Sequence, residues 1–300
     1  MKYFMYIPLL LLGLSTWAVP NDLDKSLSDE FAHNNGTKIH YVAKGQGDLI
    51  VFIHGFPDFW YSWRNQLNSL SKDFRVVAVD TRGYNKSDKP KEQSQYHMSV
   101  LVEDIKTVIS HEKRAKAIIV GHDWGGMIAW HFATQYPTMT DKLIILNLPY
   151  PKNLSRELTH NPIQQKNAAY ARRFQESDSH KVISAEALAA VAARGDLGLS
   201  KIYAKAFNRS SLEAMMFYYR ENFPKVPYVD IDFPKISMPV LQFHGLEDTA
   251  LHSDGLTGTW NEVLKDYTLV TLSDSGHWPH LDAPEKINET IRWWVKMRQD

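Results

Sequence analysis

Strand and helix patterns alternate along most of the chain. Residues 37–43 alternate polar and apolar positions, as a half-buried strand does, whereas residues 49–53 are continuously apolar, as in a strand buried on both faces. Further strands are predicted at 76–79, 117–120, 143–146, 240–243 and 267–272. Helical patterns occur around residues 60–67, 101–109, 127–133 and 287–297. This order predicts an α/β protein with a mostly parallel, doubly wound sheet.

The pattern changes between residues 150 and 229. Strand signals disappear there, and helical patterns such as those at 185–193 and 212–219 replace them. Because strands are predicted on both sides of this segment, we interpret it as a helical lid inserted into one domain. The predicted division is a core segment at 19–149, the lid at 150–229 and a second core segment at 230–300.

The first residues differ in composition from the rest of the chain. Lys2 supplies a positive charge, residues 3–14 form an apolar block, and residues 16–18 resemble a small-x-small cleavage site. The block is shorter than the ~20 residues of a transmembrane helix, so a retained anchor is the weaker alternative. We predict a signal peptide over 1–18 and an exported protein, periplasmic or secreted, without stable membrane insertion after processing.

Composition and charge exclude several classes of function. Lys plus Arg and Asp plus Glu number 34 each, so no charge excess indicates nucleic acid or acidic lipid as a partner. The chain has no cysteine and therefore no disulfides, thiol chemistry or cysteine metal sites. Its 44% hydrophobic content is typical of a globular protein with a large core. The sequence leaves the oligomeric state open.

Residues 120–126 join a predicted strand to a predicted helix through a sharp turn. The small residues Gly121 and Gly125 flank Asp123, which is the layout of a nucleophile elbow. Such a turn lifts one side chain above the carboxyl edge of the sheet, and the free amides of the following helix favour an ionised carboxylate there. Asp123 is therefore a candidate nucleophile. The alternative is an aspartate that only caps the helix.

Two further groups of polar residues follow later strands. Glu247 and Asp248 come after the strand at 240–243, and His277 comes after the strand at 267–272. The order nucleophile, acid, histidine is that of α/β-hydrolases. We expect His277 to act as general base, with a carboxylate, Glu247 or Asp248, on its other nitrogen. The alternatives are a loop histidine and a turn aspartate.

Four motifs together resemble the epoxide hydrolases of the α/β-hydrolase family. They are residues 54–57, residues 121–126, Asp248 and residues 276–278, and the similarity covers nearly all of the chain beyond the predicted signal peptide. The resemblance implies an α/β-hydrolase fold with an inserted helical lid. It also places the catalytic acid at Asp248.

Roles for lid and loop residues are implied by the same resemblance. Tyr170 and Tyr219 match the two lid tyrosines that hydrogen-bond the epoxide oxygen in this family, and Tyr218 is the rival of Tyr219. The backbone amides of Phe56 and Trp124 match the oxyanion hole. The residues expected to line the substrate pocket are His54, Pro57, Trp124 and Trp278.

The implied reaction is the addition of water to an epoxide, giving a vicinal diol, without metal or organic cofactor. Asp123 would attack an epoxide carbon while Tyr170 and Tyr219 donate to the departing oxygen. Water activated by His277 and Asp248 would then hydrolyse the ester on Asp123, and two backbone amides would stabilise the oxyanion.

Haloalkane dehalogenases, which share the aspartate nucleophile and the histidine, are the main alternative. Their second halide donor is an Asn after His-Gly or a lid Trp, but here position 56 is Phe and the lid has no Trp. A serine esterase is excluded because position 123 is Asp. A secreted hydrolase-fold protein with a host-directed role is a further alternative, although the exported relatives of that kind carry His where this chain has Tyr170.

Overall fold

An eight-stranded sheet forms the centre of residues 26–298, the part of the chain that the computed structural model describes. The predicted signal peptide at 1–18 lies outside the described residues. The strands are β1 Ser28–Asn34, β2 Thr37–Lys44, β3 Leu49–Ile53, β4 Arg75–Val79, β5 Ala117–His122, β6 Thr140–Leu146, β7 Val240–Gly245 and β8 Tyr267–Leu272. The helices of the core are α1 Arg64–Leu70, α2 Met98–His111, α3 Trp124–Gln135, α10 Pro279–Asp282 and α11 Pro284–Lys296.

The strand order across the sheet is β1-β2-β4-β3-β5-β6-β7-β8. Strand β2 pairs antiparallel with β1 and β4, and all the remaining neighbours are parallel. The chain passes from β3 to β4 on one side and then crosses to β5 on the other side, so the winding reverses between β3 and β5. Ligands bind at the carboxyl ends of strands beside such a switch point. The predicted mostly parallel, doubly wound sheet is confirmed.

Strand β3 shows why a continuous apolar run is needed at the centre of this sheet. Val51 and Ile53 pack into the layer that contains α2 and α3, whereas Ile50 and Phe52 pack into the layer with α1 and α11. Successive side chains point to opposite faces, so both faces of a covered strand must be apolar. Burial of each such side chain stabilises the fold by roughly 1.5–3 kcal/mol.

The hydrophobic pattern did not predict strand β1. Its residues are mostly polar, and Phe31 is half-exposed, while Ala32 and Asn34 face the interior. The strand lies at the edge of the sheet and pairs only with β2. An edge strand needs few apolar residues, because one side of it meets solvent.

Six helices form the segment predicted to be the lid, and the structure assigns no strand within residues 151–222. Two of its tyrosines attach the lid to the core: the Tyr218 hydroxyl donates to the Arg82 carbonyl oxygen at 2.7 Å, and the Tyr203 hydroxyl donates to Asp58 Oδ1 at 2.8 Å. Across residues 26–298, no helix has both the length and the hydropathy required to cross a membrane. The lid helices are α4 Pro151–His160, α5 Pro162–Asn167, α6 Ala169–Phe174, α7 Ala185–Ala192, α8 Leu197–Phe207 and α9 Leu212–Asn222.

Candidate active site

Asp123 occupies a strained turn between β5 and α3, with φ of 51° and ψ of −123°. A non-glycine residue in this region is uncommon and persists only where its surroundings hold it there. Gly121 and Gly125, on either side of this turn, let neighbouring main-chain segments approach closely. A Cβ atom on Gly121 would lie 2.2 Å from the Gly125 carbonyl oxygen, and one on Gly125 would lie 2.1 Å from the Ile53 carbonyl oxygen.

The loop after β3 brings a backbone donor to the Asp123 carboxylate. The Phe56 amide donates to Asp123 Oδ1 at 2.8 Å. A Cβ atom on Gly55 would lie 2.3 Å from the same oxygen, so only glycine lets the loop approach this closely. The Trp124 amide follows Asp123 directly and is in the first position of α3, where no intrahelical acceptor exists. Both predicted oxyanion-hole amides therefore lie beside the candidate nucleophile.

His277 lies between two carboxylates. Its Nε2 atom is 3.5 Å from Asp123 Oδ2, and its Nδ1 atom is 2.8 Å from Asp248 Oδ2. Glu247, the competing acid, is exposed, while Asp248 is 8% exposed. The geometry therefore joins Asp123, His277 and Asp248, as the resemblance implied, and leaves Glu247 out.

Asp248 is held in place by several donors. Its Oδ1 atom accepts from the amides of Ala250 and Leu251 at 2.7 and 3.0 Å. Its Oδ2 atom accepts from Asn147 Nδ2 at 2.7 Å in addition to His277. Burial alone would raise the pKa of this carboxyl, but the His277 charge and these hydrogen bonds outweigh it and lower the pKa well below its usual value.

The two carboxylates act on the protonation of His277. Burial of the ring favours the neutral form, but the attraction of Asp248 and the contact with Asp123 outweigh it and raise the pKa of His277 to about 10. For Asp123, burial is likewise outweighed by His277, and the pKa falls below its ordinary value. At neutral pH the free site therefore holds a protonated histidine between two ionised carboxylates.

Asn147 is a site residue that the sequence interpretation missed. It follows β6 directly, with φ of 42°, and its Oδ1 atom accepts from the Gly245 amide at 3.0 Å. Its Nδ2 atom donates to Asp248 and also to the Gly276 carbonyl oxygen at 3.1 Å. One side chain thus links the ends of three neighbouring strands. The sequence did contain one signal for Asn147. It is an amide residue directly after a buried strand, and that strand ends at the same edge of the sheet as the strand before Asp123.

Of the two adjacent lid tyrosines, Tyr219 faces the site. Its ring packs edge-on against Trp124 at 5.1 Å and against Phe56 at 5.7 Å. Burial raises the pKa of Tyr219 well above its ordinary value, and the charge of Asp123 adds to that effect. Tyr218 instead uses its hydroxyl on the Arg82 carbonyl oxygen in the core. The geometry therefore favours Tyr219 over its rival.

Tyr170 is brought to the same place by α6. Its ring lies 6.2 Å from that of Tyr219. The residue is 37% exposed, yet its hydroxyl is enclosed, and burial together with the charges of Asp123 and Asp248 raises the pKa of this phenol strongly. Both lid tyrosines thus remain protonated at neutral pH, as a proton donor must.

Three of the four residues predicted to line the pocket lie next to other residues of the site. Trp124 contacts Tyr219, as described above, and Pro57 follows Phe56 through a cis peptide bond. Trp278 packs against His277 and donates through its indole nitrogen to Asp58 at 3.1 Å.

His54 does not fit the pocket-lining prediction. It is 1% exposed, and both of its ring nitrogens are used within the loop, on the Gly55 carbonyl oxygen at 2.8 Å and the Thr81 amide at 3.1 Å. Burial lowers the pKa of this imidazole, which therefore stays neutral and accepts from the Thr81 amide. His54 supports the loop that carries Phe56 and does not line the pocket.

A family model described as the alpha/beta hydrolase fold matches residues 48–284. "Epoxide hydrolase 1" of Caenorhabditis elegans is 34% identical over 87% of this chain and 69% of that protein. "Epoxide hydrolase 4" of Mus musculus is 31% identical over 89% of this chain and 78% of that protein. The chain belongs to the epoxide hydrolases of the alpha/beta hydrolase fold.

A solved epoxide hydrolase has the same architecture. The crystal structure of the Bacillus megaterium enzyme in complex with an inhibitor superposes on this epoxide hydrolase with a TM-score of 0.82. The two chains are 31% identical, and the match covers 89% of this chain and 100% of that chain. The predicted family resemblance and the predicted fold class are confirmed.

Proposed function

We propose that the protein converts an epoxide and water to a vicinal diol through an ester on Asp123. The observation that carries the proposal is the placement of His277 between Asp123 and Asp248, with Tyr219 and Tyr170 on the lid side of the nucleophile. A carboxylate nucleophile, an acid for the leaving oxygen and a base for water are the three groups that this reaction needs.

In the first half-reaction, one oxygen of Asp123 forms a bond to an epoxide carbon, and the bond from that carbon to the ring oxygen breaks. The ring oxygen takes a proton from Tyr170 or Tyr219. An alkoxide is a poor leaving group, so this donation lowers the barrier. The product is an alkyl ester of Asp123, which carries no negative charge.

Before the second half-reaction, His277 gives the proton that it holds in the free site to the tyrosinate left by ring opening. Water then adds to the Asp123 carboxyl carbon and gives a proton to the neutral His277. The resulting oxyanion accepts hydrogen bonds from the amides of Phe56 and Trp124. The bond from the carboxyl carbon to the alkyl oxygen then breaks, and His277 returns its proton to that oxygen. The new carboxylic acid gives its proton to His277, which restores the protonated ring and the ionised Asp123, so the net reaction is epoxide plus water to diol.

A single-turnover experiment in ¹⁸O-water, with enzyme in excess over styrene oxide, tests the ester. We expect ¹⁸O in the Asp123 peptide and unlabelled diol, because the oxygen added to the substrate comes from the carboxylate. Label in the diol with none in the peptide would mean direct attack by water and would refute the proposal. A parallel assay with 1-bromo- and 1-chloroalkanes should release no halide, whereas release of halide without diol from epoxides would favour a dehalogenase.

We also propose export to the periplasm or the medium, supported by the charged start, apolar block and cleavage-like site within residues 1–18. Expression of the full chain in a Gram-negative host, followed by fractionation and N-terminal sequencing, tests this. A mature form that begins after residue 18 outside the cytoplasm is expected. An uncleaved chain that remains in the cytoplasm would refute export.

A further inference from the structure

A second cluster of polar side chains adjoins His277. Asp58, His122 and His280 each offer one potential ligand atom, and these atoms all lie within 4.8 Å of one another. The three residues are at most 1% exposed. They come from the loop after β3, the last position of β5 and the short helix α10. The proposed hydrolysis uses none of them.

The imidazole nitrogens of this cluster are incompletely paired. His122 Nε2 lies 2.7 Å from the His277 carbonyl oxygen, which can only accept, so Nε2 carries the proton and the lone pair of the neutral ring is on Nδ1. In residues 26–298, His122 Nδ1 and both ring nitrogens of His280 have no hydrogen-bond partner. Buried polar atoms are normally paired, so free nitrogens on both rings of one cluster point to a ligand that takes one nitrogen from each ring.

We propose that Asp58, His122 and His280 form a binding site for a divalent transition-metal ion of the zinc class. Two imidazoles and one carboxylate are a known ligand set for Zn²⁺, with bonds of ~2.0–2.2 Å. Ligand atoms in such a tetrahedron are roughly 3.3 Å apart. The candidate ligand atoms lie within 4.8 Å of one another, so each pair needs to approach by at most ~1.5 Å to bind one ion.

Two of the three candidate ligands, His122 and Asp58, have the hydrogen bonds that orient metal ligands. A histidine that binds a metal usually donates its other ring N–H to a carbonyl or carboxylate, as His122 does to His277. Ligating carboxylates are themselves hydrogen-bonded, and Asp58 accepts from Tyr203 at 2.8 Å and from Trp278 at 3.1 Å. The His280 ring is held by stacking on Trp63, with centroids 4.4 Å apart.

The burial of the three ligands determines how the metal ion would enter the site. Because all three ligands are enclosed, the ion enters most readily while the chain folds, and it then leaves slowly. Binding to the folded state alone stabilises that state, so the loaded protein should unfold at a higher temperature. The metal is not part of the hydrolytic steps, so this inference can fail while the proposed hydrolysis holds.

Zinc loading of the whole chain tests the site. The protein is unfolded with chelator, refolded with excess Zn²⁺ or without metal, freed of unbound ion by gel filtration, and analysed for zinc and melting temperature. We expect one zinc per chain and a higher melting temperature in the zinc-loaded sample. Refolding with Co²⁺ should give the visible absorption bands of a four-coordinate ion.

Substitutions of the candidate ligands test whether these side chains bind the zinc ion. His280→Phe keeps an aromatic ring for the stack on Trp63 but removes both nitrogens, and we expect at least a tenfold loss of bound zinc. Asp58→Asn, which keeps the shape of the side chain, should also lose zinc and covers the case in which His280→Phe does not fold. His160→Gln, at an exposed histidine, and Asp248→Asn, in the triad, should each retain one zinc.

Three outcomes would overturn the proposal. The first is a refolded wild-type chain that retains no zinc above the buffer level, which would indicate that the cluster binds water only. The second is the same zinc content in the folded His280→Phe or Asp58→Asn protein as in the wild type. The third is loss of zinc in Asp248→Asn with retention in Asp58→Asn, which would assign the ion to the triad.

Discussion

Asn147 donates a 2.7 Å hydrogen bond to the Asp248 carboxylate, although the two residues are 101 positions apart in the chain. The same amide group accepts from the Gly245 backbone. The bond fixes the carboxylate oxygen that also contacts His277 Nδ1. Asn147 is therefore placed to position His277, the proposed general base, through Asp248.

Asn147→Gly should lower kcat by roughly tenfold to a hundredfold, because a hydrogen bond to a charged group contributes ~1.5–3 kcal/mol and each 1.4 kcal/mol is tenfold. Glycine tolerates the positive φ at this position, so backbone strain does not confuse the result.

Asn85→Gly is the matched control for Asn147→Gly. Asn85 also has positive φ and donates to a buried aspartate, Asp80, at 2.8 Å, but that pair lies outside the triad. The Asn85→Gly variant should lose thermal stability with little change in kcat. Equal loss of kcat in the two variants would contradict a specific role for Asn147.

His277→Gln should trap the ester on Asp123. The first half-reaction needs the carboxylate and the lid tyrosines, whereas the second needs a base, and loss of a general base typically costs 10²–10⁴-fold. Intact mass spectrometry should show one substrate adduct per chain, and peptide mapping should place it at Asp123. Asp123→Ser should give no adduct and no turnover, and an adduct elsewhere would contradict the assignment.

The pKa of His277 should fall when the charge of Asp123 is removed. Both neighbouring carboxylates favour the protonated ring, which titrates at about 10 in the free protein, so one neutral neighbour leaves less support for the positive charge. Asp123→Asn imitates the uncharged ester. NMR titration of the His277 ring should show a lower pKa in this variant than in the wild type.

This shift has a catalytic consequence. A protonated histidine cannot accept a proton from water, so esterification of Asp123 itself should convert His277 to a usable base at neutral pH. An unchanged His277 pKa in Asp123→Asn would contradict this coupling between the two half-reactions.

Tyr219→Phe should lower kcat/KM for epoxides by roughly 10²-fold, because it removes one of the two proposed donors to the ring oxygen. Tyr218→Phe is the matched control, since its hydroxyl binds the Arg82 carbonyl oxygen inside the core. That variant should lower the melting temperature and preserve kcat/KM. The opposite pattern would assign the donor to Tyr218.

The sequence predicted the parts of the fold whose pattern depends on burial. Seven of the eight strands were predicted. Strand β2 follows from its alternation of polar and apolar positions, and a central strand such as β3 follows from its apolar run, because a strand covered on both faces must be apolar. Strand β1 was missed because an edge strand of polar residues gives no such signal. Asp123 could be found because it directly follows β5 between two glycines, and His277 because it lies in the loop after β8, next to Gly276.

The direction of a side chain could not be predicted in the same way. His54 was expected in the pocket, but its ring turns back to the Gly55 and Thr81 backbone. Asn147 was overlooked because its importance depends on Gly245, Asp248 and Gly276, which are distant in the chain. Contacts of this kind exist only after the strands have been ordered in the sheet.

The lid leaves the core after β6 and returns at β7, and these two strands are neighbours in the sheet, with Leu143 opposite Val240. Both ends of the insertion are therefore fixed close together by main-chain pairing that does not involve the lid. An insertion anchored in this way can change in length and in side chains without altering the sheet. The range of accepted epoxides can change with it, while the carboxylates and the histidine keep their spacing.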